Sequence, residues 1–342
     1  MALRVKDVAE MLKVSTATVS LVLNNKPGVS EETRQRVLKL VQEMGYDTNI
    51  LSKPALKNSR SIRFIVYKKH GNVVSDTPFF SSLIEGIEQE SRKEGYNLLI
   101  SYMNENENKM EVLRMIQENL LEGLIILATE MTEEDVLPFT QLGVPVILLD
   151  NCFESQKLDT VVIDNLQGAY EAVIHLINAG HKRIGYLRSS IRINNFEVRE
   201  KGLLRALERY GIKAEGKYAI SLQPTLEGAY ADMLHALKSN CSLPSAFFAD
   251  NDIIAFGAIK ALRELGLKIP EDVSIIGFDD MPFCEIIEPS LTTIKVYSQR
   301  MGMLAVKRLL EKIEGDAPES LRLEAGTLLV VRKSVLYSAE GF

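Results

Sequence analysis

Apolar residues recur along this chain with two different periods, and the period changes near residue 61. Before that point the spacing is helical. Val5, Val8, Ala9 and Leu12 stand at i, i+3, i+4 and i+7, one face of a short amphipathic helix. Val14, Val19, Val22 and Leu23 form a second such face, with Ser15 as its N-cap and only Lys13-Val14 for a turn between the two. Asn24-Asn25-Lys26-Pro27-Gly28 reads as a loop. Ser30 caps a third helix, which carries Glu31 and Glu32 in its first turn and Val37, Leu40, Val41 and Met44 along its stripe; Gly45 ends it. Three short helices with a tight turn between the first two predict a helix-turn-helix domain. A small helical bundle without a ligand is the plainer alternative.

After residue 61 the pattern becomes an alternation of strands and helices. Buried-type strands are predicted at 63–67, 98–102, 124–128, 146–150 and 161–163. A second run follows at 183–187, 218–222, 246–249 and 273–278. Helical stretches intervene, among them 79–94 and 298–314, and 329–334 reads as a closing strand. Such alternation predicts parallel sheets with crossover helices. About eight or nine such units in roughly 220 residues suit two doubly wound lobes better than one open sheet. A closed eight-fold barrel ranks lower, because one run of strands is followed by a second, comparable run. The expected fold class is α/β: a three-helix helix-turn-helix domain joined to a two-lobed, doubly wound core.

The second helix has an unusual outer face. Thr16, Ala17, Ser20, Leu21 and Asn24 are small or hydroxylated and nearly uncharged, where an ordinary surface helix carries Lys and Glu. A face slim enough to enter a groove, yet able to hydrogen-bond, is what a DNA recognition helix needs. Charge agrees. Residues 1–60 hold ten Lys/Arg against six Asp/Glu, a net of +4, leaving −10 on the remainder of a 342-residue chain whose total is −6. A basic head on an acidic body localises polyanion affinity to the head.

Other chemistry is conspicuously thin. No apolar run approaches the ~18 residues of a membrane helix, and no signal-peptide layout opens the chain, so no membrane partner and a cytoplasmic location are expected. Cys152, Cys241 and Cys284 read as reduced thiols. His70, His175, His181 and His235 lack ligand spacing, so neither metal nor cofactor is expected. Dinucleotide, phosphate-loop, nucleophile-elbow and zinc-protease motifs are missing from the sequence, which argues against an enzyme.

Val5-Lys6-Asp7-Val8-Ala9, Val14-Ser15, Thr18-Val19-Ser20, Leu23-Asn24, Val29-Ser30, Thr33-Arg34, Val37 and Gly45-Tyr46 resemble the DNA-binding module of the LacI/GalR family. The likeness continues through Gly180-His181-Lys182-Arg183-Ile184-Gly185-Tyr186, Arg199-Glu200-Lys201-Gly202, Ala249-Asp250-Asn251-Asp252 and Val273-Ser274-Ile275-Ile276-Gly277-Phe278-Asp279-Asp280. It extends to Pro289 and Leu291-Thr292-Thr293-Ile294. The resemblance implies a periplasmic-binding-protein-like core crossed by the chain near 161, 290 and 325. Residues 1–46 would be the DNA-binding domain, 47–60 a hinge and 61–342 the core. One lobe would take about 61–161 and 292–325, the other about 162–291 and 326–342. In the family the hinge is a helix that enters the minor groove with a leucine. Here Thr48 stands where proline is usual, Pro54 falls inside the segment, and Leu56 lies one residue beyond the leucine position, which holds Ala55.

The DNA-contacting candidates are Lys6, Ser15, Thr16, Ala17, Thr18, Ser20, Leu21, Asn24, Asn49 and Leu56. Where the family commonly has arginine, this chain has Leu21. Open α/β lobes bind ligand past the carboxyl ends of their strands. Asp76, Phe79, Phe80, Tyr102 and Asp150 qualify in the first lobe, and Arg199, Asn251, Asp252 and Asp279 in the second. Asp, Asn and Arg give the planar hydrogen bonding a polyol needs, while Phe and Tyr offer faces for a ring. Asn251 and Asp252 have a blander use as helix caps, Asp279 as a turn cap, and Phe79 and Phe80 as core. Val296 replaces the glutamine of lactose-type members, so lactose-like recognition is not expected. The expected protein is a transcriptional regulator whose partners are a pseudo-palindromic double-stranded operator and a carbohydrate effector. A nucleobase or other metabolite corepressor is the runner-up. A sugar-transport protein, or an enzyme with a DNA-binding head, ranks lower. The chain stops soon after Ser334 without a heptad extension, so a homodimer with no tetramerising tail is expected.

Overall fold

A computed structural model describes residues 5–23, 28–43, 60–74, 78–105, 113, 121–239, 242–315 and 318–337. The chain separates into two compact units, Met1–Ser59 and Arg60–Phe342.

The first unit holds α1 (Val5–Leu12), α2 (Thr16–Leu23) and α3 (Glu31–Glu43). Val8, Ala9, Val19, Val22, Val37 and Val41 meet as one buried cluster, with Leu12 and Val14 against it. The turn closes where Lys13 adopts φ +52° and the Val14 amide donates to the Ala9 carbonyl at 3.0 Å. Ser15 Oγ accepts from the Thr18 amide at 3.0 Å, the N-cap geometry that starts α2.

The second unit is built on two parallel sheets. Six strands form the first: β1 (Ser61–Lys68), β2 (Asn97–Asn104), β3 (Gly123–Leu127), β4 (Val146–Leu149), β5 (Asp159–Ile163) and, from far along the chain, β11 (Arg322–Ala325). Their order is β11-β5-β4-β3-β1-β2, all parallel. The second sheet holds β6 (Ile184–Ser189), β7 (Ala219–Leu222), β8 (Ala246–Ala249) and β9 (Ser274–Ile276) in the order β7-β6-β8-β9. A parallel sheet is covered on both faces, so its strands read as continuous apolar runs. In β1, Phe64 and Val66 face one buried cluster while Ile65 and Tyr67 face another.

Around the first sheet lie α4 (Pro78–Lys93), α5 (Glu133–Thr140) and α11 (Ser298–Glu314). With the second go α6 (Asn165–Asn178), α7 (Asn194–Arg209), α8 (Leu226–Lys238), α9 (Asp252–Glu264) and the short α10 (Phe283–Ile286). Two connecting segments pair with each other: β10 (Thr293–Lys295) and β12 (Leu328–Val330) run antiparallel, Ile294 opposite Leu329.

The closing strand differs from its expected span of 329–334. The antiparallel ladder stops at Val330, and the segment is then held by Ser334, whose carbonyl accepts from the Ile275 amide at 2.9 Å and whose hydroxyl donates to the Ile275 carbonyl at 2.6 Å.

Candidate functional site

Two aspartates end strands in opposite lobes and then leave the usual backbone regions. Asp150 follows β4 with φ +67°, and Asp279 lies three residues past β9 with φ +117°. A non-glycine backbone held there costs roughly 1–3 kcal/mol and persists only where its surroundings enforce it. Both side chains line one cavity of about 40 Å³ between the lobes.

Phe79 and Phe80 reach that cavity from the start of α4, packed edge-to-face with centroids 4.9 Å apart. Arg199 and Asn251 reach it from the other lobe. Arg199 is the centre of the polar set. Its Nε donates to Asn165 Oδ1 at 2.8 Å, Nη1 to the Asp250 carbonyl, and Nη2 faces Asp279 Oδ1 at 3.4 Å. Its guanidinium carbon lies 3.6 Å from the Phe278 ring centroid, so the plane is fixed by stacking as well as by hydrogen bonds. Asn251 has both of its candidate uses at once: its Oδ1 accepts from the Ile254 amide at 3.0 Å, capping α9, while the residue lines the cavity.

The carboxylates are unequal in partners. Asp150 Oδ2 accepts from Thr129 Oγ1 at 2.7 Å, and Oδ1 from Asn195 Nδ2 at 3.0 Å. Burial pushes its carboxyl up to about 6, against the pull of Thr129, Arg199 and Asn195. Burial also raises Asp279; Arg199 opposes it, and the carboxylates of Asp252 and Asp150 add to the rise. Behind them Asp250 accepts from Tyr186 Oη, from the Ser189 amide at 2.6 Å and from Arg192 Nη1 at 3.0 Å.

Two candidates fall elsewhere. Tyr102 sits on edge strand β2, 58 % exposed, with Lys68 Nζ 5.5 Å from its ring centroid, and lines a separate cavity with Lys68, Phe80 and Ile84 instead of the one that holds Asp150 and Asp279. Asp252 is wholly buried and already occupied: it accepts from Thr293 Oγ1 at 2.6 Å, the Met281 amide at 2.9 Å and Cys284 Sγ at 3.1 Å, tying α9 to β10. Asp76 lies outside the described residues. Sequence reasoning missed Thr129, Asn195 and Phe196, which also line the cavity. The signals were present. Thr129 stands past the carboxyl end of β3, and Asn195 lies four residues before Arg199 on one helix face.

Chemically the set suits a neutral polyhydroxylated molecule. Carboxylates accept from hydroxyls, the guanidinium donates, and Phe79, Phe80 and Phe196 supply apolar walls. Among the described residues, no group of three His, Cys, Asp or Glu is arranged to hold a metal.

In the helical unit, Ser15, Thr16, Ala17 and Ser20 are exposed, while Thr18 and Leu21 are half-buried. Thr18 Oγ1 is 2.8 Å from Ser15 Oγ. Leu21 leans toward the following loop, its Cδ1 3.9 Å from where a Cβ on Gly28 would stand. Asn24, Asn49 and Leu56 and the side chain of Lys6 lie outside the described residues, as does the 47–59 part of the expected hinge.

Comparison with known proteins agrees with both halves. A family model described as bacterial regulatory proteins, lacI family, matches residues 4–49, and a periplasmic binding protein-like domain matches 173–335. The HTH-type transcriptional repressor PurR of Haemophilus influenzae (strain PittEE) is 33% identical over 345 residues, covering 97% of this chain and 98% of that one. The lac repressor dimer bound to operator and the anti-inducer ONPF superposes with a TM-score of 0.73 at 25% identity, covering 98% of this chain and 100% of that one. A LacI family transcriptional regulator from Enterococcus faecium with bound ribose gives 0.69 at 28% identity, covering 81% and 99%. The chain therefore belongs to the LacI/GalR family and is a transcriptional repressor, not an enzyme.

Proposed function

We propose that this repressor grips a pseudo-palindromic operator as a homodimer, and that a sugar or sugar derivative bound between its lobes sets its operator affinity. One observation carries the effector half: Asp150 and Thr129 from one lobe converge with Asn195, Arg199 and Asp279 from the other on a single aromatic-walled cavity. The ribose bound by the Enterococcus faecium relative supports a carbohydrate. At about 40 Å³ the inner cavity has room for only a few water molecules, so a sugar ring must part the lobes to enter fully. That links occupancy to lobe angle, and such linkage typically couples sites by about 1–3 kcal/mol.

Two exposed apolar groups support the dimer. Leu99, Ile100 and Tyr102 stand out along edge strand β2, and Phe283 and Ile286 on α10. Ser15, Thr16, Ala17, Thr18, Ser20 and Leu21 would face the major groove, with Lys6, Asn24, Asn49 and Leu56 as further contacts.

A gel-shift titration with a palindromic operator library, repeated with Asp279→Ala, tests the whole reading. The variant should keep operator binding and lose the response to effector; a variant responding at the wild-type ligand concentration removes Asp279 from the site. A purine base is the second reading, favoured by the three phenylalanine walls. A thermal-shift screen of the full chain against sugars and purines separates the two, because a tight ligand raises the melting point by mass action.

A further inference from the structure

A second, larger chamber of about 350 Å³ opens beside the inner cavity and shares Phe79, Asp279 and Met281 with it. One molecule can therefore touch both. The walls of this chamber include the first turns of two long helices, α4 through Pro78, Phe79 and Ser82, and α11 through Ser298, Gln299 and Arg300. The helices are locked side by side: a Cβ on Gly86 would stand 2.0 Å from the Gln299 carbonyl oxygen, and one on Gly302 2.3 Å from that of Leu83. Neither first turn carries an acid, and α11 has no side-chain cap. The uncapped first-turn amides of α11 and the dipoles of both helices favour negative charge in the chamber.

The side chains add to this. Ser298 is 7 % exposed and lines the chamber, yet its hydroxyl has no hydrogen-bond partner among the described residues; neither has that of Ser82. The Ser298 hydroxyl keeps some exposure on the chamber side, where it is open to donate to a group that comes from outside. Lys295 and Arg300 also line the space, Arg300 without an ion pair among the described residues. The two carboxylates present are offset from behind. Asp279 faces Arg199 at 3.4 Å, and Asp280 pairs with Arg332 at 2.7 Å and Lys295 at 3.5 Å.

Building on the effector reading above, we propose that the effector is a sugar phosphate. Its ring hydroxyls meet Asp150, Arg199 and Asp279, and its phosphate sits in the outer chamber among the α4 and α11 amides, Ser82, Ser298, Lys295 and Arg300. Two helix N-termini, two hydroxyls and two cations surround the phosphate oxygens from separate directions, more donors than a planar carboxylate can use.

The test is calorimetric titration of the full chain, at constant ionic strength, with inorganic phosphate, with ribose, glucose and fructose, and with their phosphate monoesters. Phosphate alone should bind at millimolar concentration, and at least one ester should bind about tenfold or more tightly than its parent sugar. In the Lys295→Gln/Arg300→Gln double variant, which alters two exposed side chains, and separately in Ser298→Ala, that advantage should fall below about threefold while the parent sugar binds as before. Phosphate binding no better than matched chloride overturns the inference, as does an ester advantage that survives the double variant. Parent sugars binding as well as every ester overturns it too, but leaves the sugar-binding cleft standing. If neither sugars nor esters bind, both readings fall.

Discussion

Asn195 Nδ2 donates to Asp150 Oδ1 at 3.0 Å across the cleft, joining the first turn of α7 to the end of β4. Alongside it Asn194 Nδ2 donates to Asn151 Oδ1 at 3.1 Å. These bonds fasten one lobe to the other at the place where a ligand must enter. Asn195→Ala leaves Asp150 with Thr129 as its hydroxyl donor and should cost about 1.5–3 kcal/mol, the range for a hydrogen bond to a charged group. Urea unfolding of the variant at neutral pH should show that loss, and an unchanged midpoint would remove this bridge from the account.

The two buried carboxyls Asp150 and Asp250, each pushed up to about 6 mainly by burial, give the core a definite pH response. An acid whose folded pKa lies above its ordinary value of 3.8 favours the protonated folded form. Its stabilisation is complete below that ordinary value and is lost as the pH rises through about 6. Stability measured by urea should therefore fall from about pH 4.5 to pH 7 with a component that Asp150→Asn removes. The same ionisation makes Asp150 a better acceptor, so a polyol should bind more tightly at pH 7 than at pH 5. Equal slopes for wild type and variant would count against Asp150 as one of the titrating groups.

Glu130 poses the opposite case. Its Oε2 accepts from the amides of Lys69, His70 and Gly71 at 2.8, 3.0 and 2.9 Å, and its Oε1 from Val73 and Val74 at 2.9 and 2.8 Å. Burial works against its ionisation, but those amides outweigh burial and hold the carboxyl below its ordinary range. This stabilisation is present above the ordinary carboxylate pKa and is lost only as the pH falls through the lowered one. Glu130→Gln replaces one acceptor oxygen with a donor facing other donors. It should cost more than about 2 kcal/mol and speed hydrogen exchange at 69–74, the loop that brings Val73 to the cavity wall. Unaltered exchange there would show that the cage does not hold the loop.

At the recognition helix, Leu21 replaces a residue able to pair with guanine O6 and N7, a pairing worth about 1–3 kcal/mol of discrimination. Leucine offers only apolar contact, for example to a thymine methyl. Selection from a randomised operator library should recover guanine at one symmetric position per half-site for Leu21→Arg and not for wild type. Leu21 is half-buried and leans toward Gly28, so identical operators for both proteins would mean that residue 21 packs inward and reads nothing.

The elements most legible in the sequence were those whose burial is periodic. All three head helices and most of the parallel strands in both sheets carry apolar runs or stripes that pack into the buried clusters. β11 left no such mark. It is an edge strand, Arg322-Leu323-Glu324-Ala325, half-covered at best, so its register comes from pairing with β5 rather than from its own pattern. β10 is three residues long and is likewise defined by its partner. Site residues followed the same division. The rule that ligands gather at strand ends brought Asp150, Asn251 and Asp279 to one cavity. It does not say which of two adjacent polar residues faces the cavity, and so Asp252, spent on Thr293 and two neighbours, was indistinguishable from Asn251 until the helix start was in place.

The path of the chain through its two sheets has a consequence for how such a molecule can be taken apart or recombined. β11 completes the first sheet more than 150 residues after β5, and β12 then returns to pair with β10. No single cut between the sheets releases a contiguous segment that contains every strand of the first. Gene fragments ending inside the core inherit an incomplete sheet, whereas a junction at residues 59 and 60 severs none of the strands. Exchange of parts between relatives is therefore expected to respect that one junction: new heads on old cores, but not new lobes on old lobes.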